Sequence, residues 1–290
     1  DESTGEIRML EDSYTWLDEA SMASKRPITF TSRDGRVIHG YLTLPRAVHP
    51  EDLPLVVVPH GGPRWRNYWE MDRFTEVQLF ANRGYAVLNV NFRGSSGYGK
   101  EFLKSGFKQN GLDVQNDITD GVRFLVDEKI ADEDRIAIVG GSYGGYAVLA
   151  GLAFTPDLYA CGVDLFGVSN FFTFLESLPP WISRESLYRT IGHPEHDSDL
   201  LRRTSPLFHV ENITAPLLIA QGGQDPIVNR AESEQMVAAL RERNMDVQYI
   251  YEEDEGHGYF RDEQNWRELW EAMDLFLAKH LDCSVIRSSG

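Results

Sequence analysis

Three residues of the sequence have the types and settings that acyl transfer through a serine requires. Gly140-Gly141-Ser142-Tyr143-Gly144-Gly145 matches G-x-S-x-G, directly after the apolar run that ends at Val139 and before a helical pattern. A tight strand-to-helix turn of this kind holds its serine in a strained, exposed conformation. Small residues at 140 and 144 let neighbouring chain segments pass close by, and the amide end of the following helix favours a developing oxyanion. Asp225 follows the strand pattern Pro216 to Ala220, and His257 follows Val247 to Tyr251 in Glu255-Gly256-His257-Gly258. An imidazole so placed can take the serine proton and return it to a leaving group, while a carboxylate fixes its tautomer and stabilises its charged form.

A fourth element lies after the run Leu55 to Val58, at His60-Gly61-Gly62-Pro63. The expected oxyanion donors are the backbone N–H groups of Gly62 and Tyr143. His60 is expected to shape this loop, packing and hydrogen-bonding beneath the oxyanion site. Taken singly, these residues read as an idle serine in a glycine-rich turn, a capping aspartate and a surface histidine. The chain order Ser, Asp, His at three strand ends is what sets those readings aside.

Other motifs carry less. Gly94-Ser95-Ser96-Gly97-Tyr98-Gly99-Lys100 fits G-x-x-x-x-G-K, but Glu101 stands where a phosphate loop needs Ser or Thr. His193-Pro194-Glu195-His196 sets two imidazoles around a proline and reads as a loop, without the helix face a metalloprotease uses. Cys161, on a strand pattern beside Gly162, reads as a small core residue.

The elements that must position these residues follow from hydrophobic periodicity. Ile28 to Thr31 and Val37 to Leu44 flank Arg33-Asp34-Gly35, a hairpin turn signal. Strands and helices then alternate: strand Leu55 to Val58, helix Trp69 to Asn82, strand Tyr85 to Val90, and a helix whose apolar face is Ile118, Val122, Leu125 and Val126. Strand Arg135 to Val139, helix Tyr146 to Phe154 and strand Ala160 to Leu165 continue the series. Gly167 to about Asn212 breaks it and is expected to be a helical insertion over the sheet. Strand Pro216 to Ala220, helix Arg230 to Arg243, strand Val247 to Tyr251 and helix Trp266 to His280 complete it. This alternation implies an α/β fold, a mostly parallel sheet with helices on both faces, and the order Ser, Asp, His is that of an α/β-hydrolase. Residues 1–26, with a strand-like patch at Ile7 to Leu10 and an apolar cluster at Tyr14, Trp16 and Leu17, form an N-terminal segment. Residues 27–282 form the catalytic unit, and 283–290 a tail.

Composition agrees with an ordinary globular protein. The 290 residues hold 28 Lys+Arg against 45 Asp+Glu, a net charge of −17, which repels phosphate backbones and anionic lipid surfaces. No apolar stretch approaches the roughly 20 residues of a membrane helix. The cysteines, Cys161 and Cys283, make neither a disulfide framework nor a zinc-finger spacing. The expected partner is a small peptide or ester substrate, with no nucleic acid and no membrane. Assembly into a homo-oligomer is left open, and no metal or organic cofactor is implied. The chain begins at Asp1 with nothing like a signal peptide, which reads as a processed product or a piece of something longer; its compartment leans to the cytoplasm.

Together, His60-Gly61-Gly62-Pro63, Asn91 to Gly99, Gly140 to Tyr146, Ser205-Pro206, the Asp225 loop and Glu255-Gly256-His257-Gly258 resemble the catalytic domain of the prolyl oligopeptidase family of serine peptidases. The acylaminoacyl-peptidase-like and dipeptidyl-peptidase-like branches are the most similar, over roughly residues 26 to 281. The resemblance implies Ser142, Asp225 and His257 as the triad, with Gly62 and Tyr143 as the oxyanion hole. It also implies an S1 pocket lined by Tyr143, Val168, Phe171, Phe174 and Val228, which would take an apolar or aromatic group. The implied reaction is cleavage of short peptides or acylated aminoacyl substrates after an apolar residue; carboxylesterase action on small esters is the alternative. Two departures bear on that choice. The family usually carries Arg or Asn two residues after the catalytic Asp, where this chain has Ile227. The family also precedes this domain with a β-propeller, whose repeats are not in this sequence, although Ile7 to Leu10 resembles the end of a last propeller strand.

Overall fold

Apolar residues alternate with period two along the central strands, and that alternation decides the layering. Leu55 and Val57 face one apolar core, whereas Val56 and Val58 face the other. The same division separates Ile136 and Ile138 from Ala137 and Val139. Strands buried on both faces belong in the middle of a layered sheet.

The computed structural model describes residues 18–46, 48–70, 76–259 and 261–282, with Gly5. The expected patch Ile7 to Leu10, the cluster at Tyr14, Trp16 and Leu17, and the tail with Cys283 lie outside the described residues. Eight strands, β1 (Lys25–Thr31), β2 (Val37–Thr43), β3 (Leu53–Val57), β4 (Ala86–Asn91), β5 (Ala131–Gly141), β6 (Cys161–Leu165), β7 (Leu217–Gly222) and β8 (Val247–Glu252), form one sheet in the order β1-β2-β4-β3-β5-β6-β7-β8. The pairs β1–β2 and β2–β4 are antiparallel, and every pair from β4–β3 onward is parallel. This is the mostly parallel sheet expected from the alternation, in the α/β-hydrolase arrangement expected from the order of Ser, Asp and His.

The helices are α1 (Glu76–Asn82), α2 (Lys100–Ser105), α3 (Asp113–Asp127), α4 (Tyr143–Phe154), α5 (Phe171–Ser177), α6 (Arg184–Thr190), α7 (Ser198–Thr204), α8 (Ala231–Glu242) and α9 (Glu263–His280). The core that holds Leu55 takes α3, α4 and α8, and the opposite core takes α1 and α9. α4 is apolar all round because it is enclosed all round: Tyr143 to Ala153 are buried without a break. The segment between β6 and β7 is helical as expected, comprising α5, α6, α7 and the 3-10 turn Pro206–Asn212.

Two local expectations are corrected. The helix expected from Trp69 is seen as Glu76–Asn82, and Trp69 lies outside it. Its indole Nε1 instead donates to the Lys25 carbonyl at 2.7 Å, tying this stretch to β1. The helix expected from Tyr146 starts at Tyr143, as α4.

Candidate active site

Ser142 sits between the end of β5 and the start of α4 with φ 58° and ψ −118°, a backbone region that L-residues with a side chain rarely occupy. The turn survives because the chain around it over-determines it. Its N–H donates to the Leu165 carbonyl at 2.9 Å, and its carbonyl accepts from Tyr146 N–H at 3.0 Å. Gly144 permits the close approach of α4 to the loop after β3: a Cβ there would lie 2.5 Å from the Pro59 carbonyl oxygen. The small residues expected to flank the serine thus have a steric cause in this fold.

Asp225 and His257 arrive from the ends of β7 and β8, the side on which open parallel sheets place their sites. His257 Nδ1 lies 2.7 Å from Asp225 Oδ2. The aspartate side chain is 0% exposed and the histidine side chain 24%, so the pair is shielded on the carboxylate side and open on the other. Asp225 Oδ1 accepts the backbone N–H groups of Ile227 at 2.8 Å and Val228 at 2.9 Å. The phenyl ring of Phe166 packs on the His257 ring at 4.8 Å. The same phenyl ring borders Gly141, whose added Cβ would meet it at 3.1 Å. Phe166 therefore spaces the histidine from the turn that carries Ser142. Its role was not legible in the sequence, where it appears as one more apolar residue after a strand.

The loop after β3 reaches the same place. A Cβ built at Gly61 would lie 3.8 Å from the Ser142 Cβ. The N–H groups of Gly62 and Tyr143 have no acceptor among the described residues, Tyr143 being the first residue of its helix, where amides have no intrahelical partner. Unpaired amides beside a serine are what an oxyanion needs. The five expected pocket residues, Tyr143, Val168, Phe171, Phe174 and Val228, are all buried and all belong to the larger core on the α4 side of the sheet. Tyr146 links two of them, its ring 5.4 Å from Tyr143 and 4.7 Å from Phe171.

Buried carboxyl groups brace this region, and sequence reading missed them. Glu232, in the first turn of α8, accepts N–H from Ser169 at 3.0 Å and Asn170 at 2.8 Å and the Thr173 hydroxyl at 2.5 Å. It thereby pins the start of α5, which carries Phe171 and Phe174, to the element that follows the Asp225 loop. Burial pushes its carboxyl above the usual range despite these donors. Asp164, on β6, is fully buried; burial, with a smaller push from Glu232, takes its carboxyl up to about 7. Cys161 is buried, as expected of a core residue, and burial pushes its thiol up to about 12.

Among the described residues, His193, Glu195 and His196 lie close enough together to offer ligands to a metal. Their geometry does not favour it. The two imidazole rings stack face to face at 4.4 Å, and His193 Nδ1 accepts the backbone N–H groups of Glu195 and His196. Stacked rings direct their nitrogens side by side, and this one is already occupied by donors.

A profile of the prolyl oligopeptidase family matches residues 69–284. The chain is 42% identical over 276 residues to dipeptidyl aminopeptidase BIII of Pseudoxanthomonas mexicana, covering 91% of this chain and 40% of that protein. Among solved structures, a puromycin-hydrolyzing peptidase of Mycobacterium tuberculosis superposes with a TM-score of 0.86 at 32% identity, over 92% of this chain and 41% of that one. The acylaminoacyl peptidase of Pyrococcus horikoshii does so with a TM-score of 0.81 at 28% identity, over 93% and 43%. The chain thus spans about two fifths of the length of these relatives. On the matched profile, and with its serine turn and Asp–His pair at the expected strand ends, this chain belongs to the prolyl oligopeptidase family of serine peptidases.

Proposed function

We propose that this chain is the hydrolase unit of a serine peptidase that cleaves short peptides or acylated aminoacyl substrates after an apolar residue. Ser142 is the nucleophile. His257 removes its proton as Oγ attacks the carbonyl carbon, and Asp225 holds the imidazole with its Nδ1 proton toward Oδ2 so that Nε2 is free to accept. The tetrahedral oxyanion is received by the N–H groups of Gly62 and Tyr143. Collapse expels the amine, which takes the proton from His257, and leaves an acyl-Ser142 ester. Water then attacks that ester by the same route in reverse, giving the acid and free serine.

The observation that carries this reading is the Asp225–His257 contact at 2.7 Å, with Phe166 packed against both that histidine and the turn that holds Ser142 at φ 58°. The buried aromatics Tyr143, Phe171 and Phe174 support an apolar acyl-side group, where burial of an aromatic side chain gives affinity with little hydrogen-bond selectivity. The names of the relatives, a dipeptidyl aminopeptidase, a puromycin-hydrolyzing peptidase and an acylaminoacyl peptidase, support peptidase action.

One observation favours esters as a second reading. Ile227 offers only its backbone N–H, already given to Asp225, so no side-chain donor at this position meets a substrate carbonyl. The test is kcat/KM on an N-acyl-phenylalanyl anilide and the matched p-nitrophenyl ester, with Ser142→Ala as the blank. Cleavage of both, lost in the blank, supports the peptidase; ester cleavage alone supports the second reading; anilide cleavage that survives Ser142→Ala overturns the nucleophile.

A further inference from the structure

Two consecutive residues in the first turn of α8, Glu232 and Ser233, are buried and meet different neighbours. Adjacent side chains stand about 100° apart around a helix, so each of the two serves one side. The Glu232 carboxyl meets the stretch that enters α5. Its Oε2 accepts the N–H groups of Ser169 at 3.0 Å and Asn170 at 2.8 Å, and its Oε1 accepts the Thr173 hydroxyl. The Ser169 hydroxyl donates to the Glu232 carbonyl at 2.7 Å. The Ser233 hydroxyl donates instead to Gln221 Oε1 at 2.9 Å, at the end of β7. Gln221 Nε2 in turn donates to the Val228 carbonyl at 3.3 Å, in the loop whose amides hold Asp225.

The start of a helix leaves amides without intrahelical partners, and buried ones need acceptors from elsewhere. Around the start of α5 those acceptors are side chains. The Phe172 N–H goes to Asn170 Oδ1 at 3.0 Å, the Phe171 N–H to Ser205 Oγ at 2.9 Å, and the two amides before them to Glu232. The place of this start sets the two aromatic rings that follow, Phe171 and Phe174. Phe171 packs on the Tyr146 ring at 4.7 Å, and Tyr146 on that of Tyr143, the residue after the serine, at 5.4 Å. We infer that Glu232 is a positioning residue for substrate selection. It fixes the entry of α5, and with it Phe171 and Phe174 as the wall of an apolar acyl-side pocket, in one frame with the Asp225 loop. This rests on the serine-hydrolase reading above.

The carboxyl group suits this task by acceptor count and by reach. Its two oxygens offer about four lone-pair sites, enough for two amides and a hydroxyl at once. Gln235, three positions along α8, donates through Nε2 to the hydroxyls of Ser169 at 2.9 Å and Thr173 at 3.2 Å. That fills a lone pair on each hydroxyl and leaves both protons for Glu232, one for its carbonyl and one for Oε1.

Removing the carboxyl leaves the Ser169 and Asn170 N–H groups buried without an acceptor, a state costly enough to shift the backbone toward another partner. What shifts is the entry of α5, and Phe171 and Phe174 with it. An aromatic acyl-side group depends on close contact with such a wall, since a gap of roughly 0.5–1 Å forfeits a quarter to a half of each contact. A methyl side chain covers little of the wall and depends on it less. Loss of Glu232 therefore acts on the preference for aromatic over small acyl-side groups, through binding.

The test measures kcat and KM on N-acyl-phenylalanyl and N-acyl-alanyl anilides for the parent chain, Glu232→Gln, Glu232→Asp, Glu232→Ala and Thr173→Val. Gln keeps the reach without the charge. Its amide oxygen takes the two N–H groups, and its NH2 donates to Thr173 Oγ1, whose own proton turns to the Asn170 carbonyl at 3.1 Å. Asp keeps the charge but is one methylene short. An apolar pocket discriminates roughly 10- to 200-fold per methylene, so the parent should favour the phenylalanyl anilide by at least about tenfold. In Glu232→Ala that preference should fall about tenfold, through a raised KM for the phenylalanyl substrate. Glu232→Asp should follow Ala, and Glu232→Gln should keep the parent ratio. Thr173→Val removes one donor and should lower the ratio by less; it supplies the readout should Glu232→Ala fail to fold. The parent ratio kept in Glu232→Ala or Thr173→Val, a loss shared equally by the two substrates, or rescue by Asp and not by Gln overturns the inference. Ser142→Ala separates the claims: if it is inactive and Glu232→Ala keeps the parent's aromatic preference, only the positioning role fails. A parent without that preference overturns the apolar acyl-side reading and this role together.

Discussion

His257 meets Asp225 through a single carboxylate oxygen. Nδ1 lies 2.7 Å from Oδ2, while Oδ1 is taken by the N–H groups of Ile227 and Val228. The loop after β7 therefore fixes the carboxylate before the imidazole engages it. In Asp225→Asn, the amide oxygen stays with those two N–H groups and the amide NH2 faces Nδ1. The imidazole proton is then forced onto Nε2, and the ring cannot accept from Ser142. A wrong tautomer of this kind costs a serine-protease triad roughly ten-thousand-fold in kcat, and a fall on that scale is expected here with little change in melting temperature. A loss under about tenfold would mean that another group orients the base.

Gly144→Ala tests the close approach behind the serine turn. The new methyl would sit 2.5 Å from the Pro59 carbonyl oxygen, a backbone atom at the end of β3 that cannot swing aside. Relief requires α4 to move away from the loop bearing Gly62, which also separates the two unpaired amides. The expected cost is about 1–3 kcal/mol of stability by denaturant titration, the range for overpacking, with a fall in kcat. Parent-like stability and kcat would refute the steric account of this turn.

Asp164 gives a pH prediction. Its carboxyl is pushed up to about 7 by burial, first, and by Glu232, against an unfolded value near 3.9. A folded-state pKa raised in an acid means that the native state holds the proton longer than the unfolded chain. Stability is complete below about pH 4 and is lost as pH rises through 7, by up to about 4 kcal/mol. Asp164→Asn keeps an oxygen for the Gly167 N–H, which donates to Oδ1 at 2.9 Å, and removes the titration. The melting temperature of the variant minus that of the parent should therefore grow from pH 5 to pH 8. A constant difference would show that Asp164 stays ionised when folded.

The candidate triad was legible because each of its residues lies in a local motif at the end of an apolar run, and the run fixes the strand end on which the motif sits. The layering was legible for the same reason. What escaped depends on contacts between distant segments. Glu232 bonds Ser169 across 63 positions of chain, and no local pattern marks a carboxylate as that partner. Phe166 acts by standing between two motifs, each of which reads completely without it. α4 begins at Tyr143 where periodicity placed Tyr146, because glycines at 144 and 145 carry little helical preference and the turn is held by packing on Pro59. Trp69 fits a helical spacing, yet one long-range bond to Lys25 takes it elsewhere.

Ile227 is the residue on which the choice between amide and ester substrates turns. Its backbone N–H serves Asp225, and its side chain is half-buried against the main core. Replacing it by Arg keeps the backbone donor, since any non-proline residue supplies it, and a long aliphatic stem can lie along the same apolar surface with its head in water. The guanidinium then offers N–H donors where a peptide substrate presents a backbone carbonyl. A hydrogen bond from a charged donor contributes about 1.5–3 kcal/mol, or roughly ten- to a hundredfold in kcat/KM. A small ester has no such carbonyl and should gain nothing. Ile227→Arg is therefore expected to raise the anilide-to-ester ratio of kcat/KM with a peptidyl anilide as the amide, chiefly by lowering its KM. If the ratio stays at the parent value while the Asp225 pair remains intact by its pH profile, Ile227 does not limit peptide binding, and the structural reason for favouring esters is gone.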